Sequence, residues 1–244
     1  MKALILAAGY ATRLYPLTKD KPKALLTIGH KTILDFVVDE VLKINEIDEI
    51  YIVTNSKFHS SFSNWVSEKN SPVNITVIDD GTSSDETKLG AIGDIFYSIQ
   101  KEKIDDDLLI MASDNIFTFS LTDFYNYFKK VNSDCILVGK VENKEDLKRM
   151  ANVITNHDGS VKDMVEKPLV PISDIAAYAS YFYKKSTLAL FNTYIDEGNN
   201  PDAPGFFPSW LCKRKKVFAY EFDGKCYDIG TPSSYEEVNK KFSN

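Results

Sequence analysis

A short apolar run, Lys2 to Leu6, passes into Gly9-Tyr10-Ala11-Thr12-Arg13-Leu14-Tyr15-Pro16-Leu17-Thr18-Lys19-Asp20-Lys21-Pro22-Lys23. Small residues at the carboxyl end of a buried parallel strand let a ligand approach the backbone and meet its N–H groups. Arg13, Lys19, Lys21 and Lys23 add full positive charge, making a cradle suited to a polyphosphate whose charge shifts during reaction. Two better-known phosphate loops are excluded. G-x-x-x-x-G-K-[ST] does not occur, and G-x-G-x-x-G fails at Ala11 and Leu14. Two aspartates stand in comparable places: Asp114 follows the run Leu108 to Ala112, and Asp228 precedes the turn Ile229-Gly230-Thr231-Pro232. A carboxylate held at the edge of a buried strand suits a hard divalent cation, and magnesium needs only one or two of them beside phosphate and water. Taken singly, a basic loop and two turn aspartates have ordinary structural explanations.

These residues need a frame. Apolar runs rich in Ile and Val alternate with segments of helical period, the pattern of a mainly parallel sheet covered on both faces. Strands are expected over Lys2 to Leu6, Glu49 to Thr54, Val73 to Ile78, Leu108 to Ala112 and Asp134 to Val141. Helices are expected over Thr32 to Ile44, Phe58 to Glu68, Lys88 to Lys101 and Leu121 to Val131. The second half reads as a mixed region with strands at Asn152 to Thr155, Val161 to Glu166, Ala176 to Tyr183 and Lys216 to Phe222. A final helix is signalled by Pro232 and by Ser233 with Glu236 at capping-box spacing. Asp196 to Pro208, with three prolines and two glycines, is the candidate for a long ordered loop.

The 244 residues, 43% hydrophobic and 26% charged, describe one ordinary globular domain spanning 1–244. A net charge of −6 gives no general attraction to nucleic acid or an anionic membrane. Cys135, Cys212 and Cys226 lack any CxxC spacing, and His30, His59 and His157 are scattered, so a zinc site is disfavoured. The opening apolar run spans only about six residues and reads as a buried strand rather than a leader. No stretch approaches the roughly 20 apolar residues of a membrane span, so a cytoplasmic setting is expected.

The string Leu6-Ala7-Ala8-Gly9-Tyr10-Ala11-Thr12-Arg13-Leu14, then Pro16-Leu17-Thr18 and Lys21-Pro22-Lys23, resembles the signature of the sugar-phosphate nucleotidyltransferases, whose best-known members include glucose-1-phosphate thymidylyltransferase. Ser113-Asp114-Asn115 and Asp228-Ile229-Gly230-Thr231 resemble that family's G-D-N and D-x-G-T elements, in order and at similar separations. The resemblance runs from the first strand to the final helix. It implies a Rossmann-like three-layer α/β/α sandwich, with a mainly parallel central sheet and a smaller mixed sheet over the active site. It also implies that Arg13 holds the departing pyrophosphate, that Lys23 contacts the reacting phosphates, and that Asp114 and Asp228 bind Mg2+. Nucleotide contacts would fall at Leu6, Ala8, Gly9, Tyr10, Ala11 and Thr12. Many members carry a second glycine where this chain has Ala11; an alanine permits close backbone approach if its φ is negative.

Base recognition maps, by the same resemblance, onto Asp80, Gly81 and Thr82 and onto Gly90, which also has an ordinary packing explanation at the start of a helix. Asp80 could accept from uracil N3–H or from a cytosine amino group. Val165-Glu166-Lys167-Pro168 resembles an E-K-P element whose glutamate grips sugar hydroxyls and whose lysine meets the sugar phosphate, chemistry that suits a carboxylate and an ammonium. Asn152 and Ala179 fall where the family lines its sugar pocket, and alanine in place of glycine there narrows it. The expected function is transfer from a pyrimidine triphosphate, dTTP or UTP, to a sugar 1-phosphate with release of pyrophosphate. The alternatives are a cytidylyltransferase with another phosphate ester, a glycosyltransferase and a non-catalytic nucleotide-sugar sensor. The oligomeric state stays open, a homo-oligomer included.

Overall fold

The computed structural model describes residues 1–242. In chain order the elements are β1 (Lys2–Leu6), β2 (Thr27–Ile28), β3 (Lys31–Thr32), α1 (Ile33–Val41), β4 (Glu49–Thr54), α2 (His59–Glu68), β5 (Asn74–Asp79) and α3 (Ala91–Glu102). Then come β6 (Leu108–Ala112), β7 (Asn115–Phe117), α4 (Leu121–Val131), β8 (Asp134–Lys140), α5 (Lys144–Leu147), β9 (Ala151–Thr155), β10 (Val161–Val165) and β11 (Ile175–Tyr183). The chain ends with α6 (Lys185–Asp196), α7 (Phe206–Leu211), β12 (Val217–Glu221), β13 (Cys226–Asp228) and α8 (Pro232–Phe242). It divides into two compact units, one of residues 1–88, 111–122 and 224–244, the other of 89–110 and 123–223.

In the first unit β1 pairs in parallel with β4, and β4 with β5. The expected alternation of buried runs and helices is therefore what the chain forms, an α/β fold with a mainly parallel sheet. Ala3, Leu4 and Ile5 are fully buried, which is why β1 reads as a continuous apolar run instead of an alternating one. Its carboxyl end opens directly into the basic segment. Helix α1 starts on a reciprocal cap: the Thr32 side chain accepts from the Asp35 amide, and Asp35 accepts from the Thr32 amide. A smaller antiparallel pair, β7 with β13, sets Asn115 opposite Asp228. Leu26, Ile28, Ile33, Ile116, Ile229 and Val238 bury a common cluster beneath that pair, so hydrophobic burial fixes both turns that carry the two aspartates.

The second unit is mixed, as expected. β8 pairs antiparallel with β11 and parallel with β12, while β9 pairs antiparallel with both β10 and β11. Its core is aromatic: Phe124 and Phe128 pack on Phe182, and Phe191 stacks on Phe207 at 3.7 Å between ring centroids.

Some boundaries move. Helix α3 begins at Ala91 rather than Lys88, and α1 ends at Val41 rather than Ile44. The cap of α8 is Thr231, whose hydroxyl accepts from the Ser234 amide, not the expected Ser233 and Glu236. The loop expected from Asp196 to Pro208 is shorter, because α6 reaches Asp196 and α7 already contains Phe206 to Pro208. Helix α6 itself escaped the sequence reading: its pattern Leu188, Phe191, Tyr194 is helical, but flanking polar residues blur it.

Candidate active site

The basic segment is built by two single 3-10 turns. Ala11 takes a left-handed conformation, φ 49° and ψ 41°, and launches the turn Thr12–Leu14, which throws Arg13 outward while Leu14 is buried. The condition attached to alanine at this position therefore fails. The backbone needs positive φ, a conformation that suits glycine and leaves Ala11 strained. Fully buried Thr18 braces the turn by donating to the Ala11 carbonyl at 2.7 Å, and buried Asn55 donates to the Ala8 carbonyl at 2.8 Å. Neither brace was found from sequence; Asn55, a polar residue immediately beyond β4, was the available signal. Pro22 leads into the second turn, Lys23–Leu25, with buried Ala24 and Leu25 anchoring Lys23.

Lys23 Nζ lies 2.5 Å from Asp114 Oδ2. Asp114 is held at the end of β6, where the amide of buried Ser113 donates to the Leu6 carbonyl and the Asp114 carbonyl accepts from the Ile229 amide. Asp228 sits one residue before that amide. Gly230 faces both Asp228 and Arg13: a Cβ there would lie 3.4 Å from Asp228 Oδ2 and 3.8 Å from Arg13 Nη2. The Asp228 carboxyl titrates above its ordinary range, first because surrounding protein strips its water, then because Asp114 is negative; Lys23 and Arg13 pull it back. Solvent still reaches the residue. All four charged residues expected to act together converge within the first unit. Two carboxylates beside two cations form a donor set that fits a hard divalent ion completed by phosphate oxygens. Among the described residues no cluster of three potential metal ligands occurs.

In the same unit Gly81 has φ 79°, and the turn is closed by Asp80 Oδ1 accepting from the Thr82 amide at 2.7 Å. Asp80 Oδ2, the Tyr10 hydroxyl and Thr82 Oγ1 are buried without a hydrogen-bond partner. Burial raises the Tyr10 pKa; nearby Thr82 opposes the rise and nearby Asp80 adds to it. Tyr10 thus neighbours the other two. Leu6, Ala8, Gly9 and Thr12 line the chain between β1 and Arg13, and Gly9 has open space where a side chain would stand.

In the second unit Gly90 has φ 79°, and a Cβ would meet the Pro201 carbonyl oxygen at 2.6 Å. The Ala91 and Ile92 amides donate to the Asp202 and Pro201 carbonyls. The packing explanation therefore accounts for Gly90 in full. Asn152 is completely buried, donating to the Leu147 and Met150 carbonyls and accepting from the Ile172 amide. Both of its amide hydrogens are therefore taken by backbone, and one acceptor site of its oxygen remains. Ala179 is half-buried in β11. Glu166 is buried, with only an ion pair to Lys167 at 3.8 Å, and burial pushes its carboxyl up to about 6 against the pull of Lys167. Lys167 is exposed and left-handed at φ 47°.

A sequence model of the nucleotidyl transferase family matches residues 2–244, and the chain belongs to that family. It is 24% identical over 246 residues to UTP–glucose-1-phosphate uridylyltransferase AglF of Haloferax volcanii, covering 99% of this chain and 96% of that one. It is 28% identical over 254 residues to a glucose-1-phosphate adenylyltransferase of Mycoplasma mobile, covering 98% of this chain and 66% of that one. Other relatives are also longer: the chain spans 62% of a Sulfolobus acidocaldarius protein and 54% of the bifunctional protein GlmU of Methanocaldococcus jannaschii. A UDP-glucose pyrophosphorylase crystallised with UDP-glucose superposes with a TM-score of 0.83 at 21% identity, over 99% of this chain and 97% of that one, which shows the shared fold. Among the described residues no helix is long and apolar enough to cross a membrane.

Proposed function

We propose that residues 1–244 act as one nucleotidyltransferase domain that joins a nucleoside triphosphate to a sugar 1-phosphate and releases pyrophosphate. The closeness of Arg13, Lys23, Asp114 and Asp228 to one another carries this reading. A glycosyltransferase would leave the Arg13 and Lys23 turn unexplained, and a sensor would not need the paired carboxylates. A pyrimidine donor, dTTP or UTP, is the favoured substrate, supported by the uridylyl relative AglF.

In this reading an ionised phosphate oxygen of the acceptor attacks the α-phosphorus in line, and the β–γ pyrophosphate departs with the electron pair of the broken bond. A phosphate monoester loses its second proton near pH ~6, so no general base is needed. Arg13 spreads positive charge over the departing pyrophosphate, and Lys23, positioned by Asp114, holds the α-phosphate in line. Backbone N–H groups of residues 9–12 neutralise the remaining phosphate oxygens. Asp114 and Asp228 would hold Mg2+, which when bound supplies charge neutralisation shared between nucleotide and acceptor. Glu166 accepts from sugar hydroxyls and Lys167 meets the acceptor phosphate.

The test is a pyrophosphate-release screen of dTTP, UTP, CTP, ATP and GTP against a panel of hexose 1-phosphates with Mg2+. Release from one pair, at rates far above the other pairs, is expected. Binding of nucleotide sugars without release from any pair would turn the reading to a sensor.

A further inference from the structure

Gly205 has no conformational need to be glycine. Its φ of −75° and ψ of −13° are right-handed values open to any residue. Its carbonyl is fixed by Ser209, whose amide and hydroxyl donate at 3.2 and 2.7 Å. A side chain there would have to displace its neighbours: a Cβ at Gly205 would lie 2.0 Å from Glu166 Oε2, 3.0 Å from Glu166 Cδ and 3.0 Å from the Ala151 Cβ. A carbon–oxygen approach of that length is far inside van der Waals contact. The displaced party would be a buried carboxylate with no hydrogen bond to hold it, its one charged partner being Lys167 at 3.8 Å. Such a group is placed largely by the shape of what surrounds it.

We infer that Gly205 is a specificity-determining and positioning residue for the phosphorylated acceptor: its missing side chain creates the slot that aims the Glu166 carboxylate at the acceptor's hydroxyls. The inference rests on the acceptor role proposed above for Glu166. It assigns to α7, an element outside every motif discussed so far, control over which hydroxylated phosphate ester binds.

The decisive variant is Gly205→Ala, assayed with UTP and glucose 1-phosphate as probes. The KM for glucose 1-phosphate is expected to rise by about tenfold or more while the KM for UTP stays within about twofold, a split that general loss of fold would not produce. Glu166→Asp, one methylene shorter, should restore part of the loss when combined with Gly205→Ala. A second readout needs no turnover: in protein carrying 13C at glutamate carboxyls, with the Glu166 signal identified by its loss in Glu166→Gln, the midpoint should fall from about 6 toward the ordinary 4.5 in Gly205→Ala. An unchanged midpoint, or an unchanged acceptor KM in an active enzyme, overturns the inference. Wild-type protein inert with every donor and acceptor pair would instead sink the proposed function, and the titration alone would then decide whether Gly205 places Glu166. Should Gly205→Ala not fold, folding regained in the double variant supports the clash, and failure of both overturns it.

Discussion

Glu166 gives the folded chain a measurable pH dependence. Its carboxyl is raised from 4.5 to about 6, chiefly by burial and slightly by Asp202, against the pull of Lys167. The folded state therefore binds this proton more tightly than the unfolded chain does. The stability this group contributes is fully present below its unfolded value of 4.5 and is lost as pH rises through about 6. The whole displacement is worth about 2 kcal/mol, and because the side chain is only 6% exposed, solvent screening removes little of it. Between about pH 4.5 and 7.5 roughly 1.5 kcal/mol of that should disappear. Glu166→Gln keeps the shape and cannot ionise, so the variant should gain on the wild type by that amount over the interval. Urea unfolding of both proteins at the two pH values isolates the effect, since every other titrating group cancels in the difference. A wild-type-minus-variant difference that stays flat across the interval would refute the claim that Glu166 is desolvated in the fold.

Lys23→Ala should lower turnover by about 10²–10³-fold with little change in Tm, measured by pyrophosphate release; wild-type turnover would remove its assigned role. Asp228→Asn should move the midpoint of a Mg2+ activation curve upward by about tenfold or more, and an unshifted titration would argue against this ligand. Ala11→Gly relieves a left-handed strain of about 1–2 kcal/mol and adds about 0.5–1 kcal/mol of unfolded-chain entropy, so a net gain of about 0.5–1 kcal/mol is expected in denaturant unfolding. A loss would mean that Ala11 is not left-handed in solution. Gly90→Ala places a Cβ against the Pro201 carbonyl at positive φ and should destabilise by about 2 kcal/mol or more; a neutral result would return Gly90 to the base-reading role.

How much of this was legible in the sequence depends on whether the determining physics is local. Strand β1 and the loop behind it were readable because a run of Ala3, Leu4 and Ile5 buried on all sides leaves an unbroken apolar string, followed at once by a short segment dense in basic residues. The α8 cap was misassigned because Thr231, Ser233 and Ser234 offer competing hydroxyls within four residues, and only the backbone path selects Thr231. Asn152 shows a different limit. Its type and place fit an acceptor pocket, yet whether an amide faces a ligand or three backbone groups is settled by the return of the chain at Ile172, twenty residues away. Gly90 and Gly205 share that limit, because a glycine's reason lies in what its missing side chain would strike. For both, the striking atoms come from distant segments.

The joining of the two aspartates follows from a pairing that no periodicity announces. β7 and β13 are three residues each, too short for an alternating pattern, yet their antiparallel register places Asn115 opposite Asp228 and lets the Ile229 amide donate to the Asp114 carbonyl. What locks that register is apolar: Ile116 and Ile229 enter the same buried cluster as Ile28 and Val238. A slip by one residue would turn Ile116 outward and carry the carboxylate of Asp228 to the opposite face. The arrangement of the two acids is thus held by hydrophobic anchors two residues beyond Asp114 and one beyond Asp228, which lets two like charges sit close together although Asp114 raises the cost of ionising Asp228. In the free protein Lys23 and Arg13 offset that repulsion. In the proposed reading Asp114 and Asp228 would hold a divalent cation, whose charge would supply the same offset.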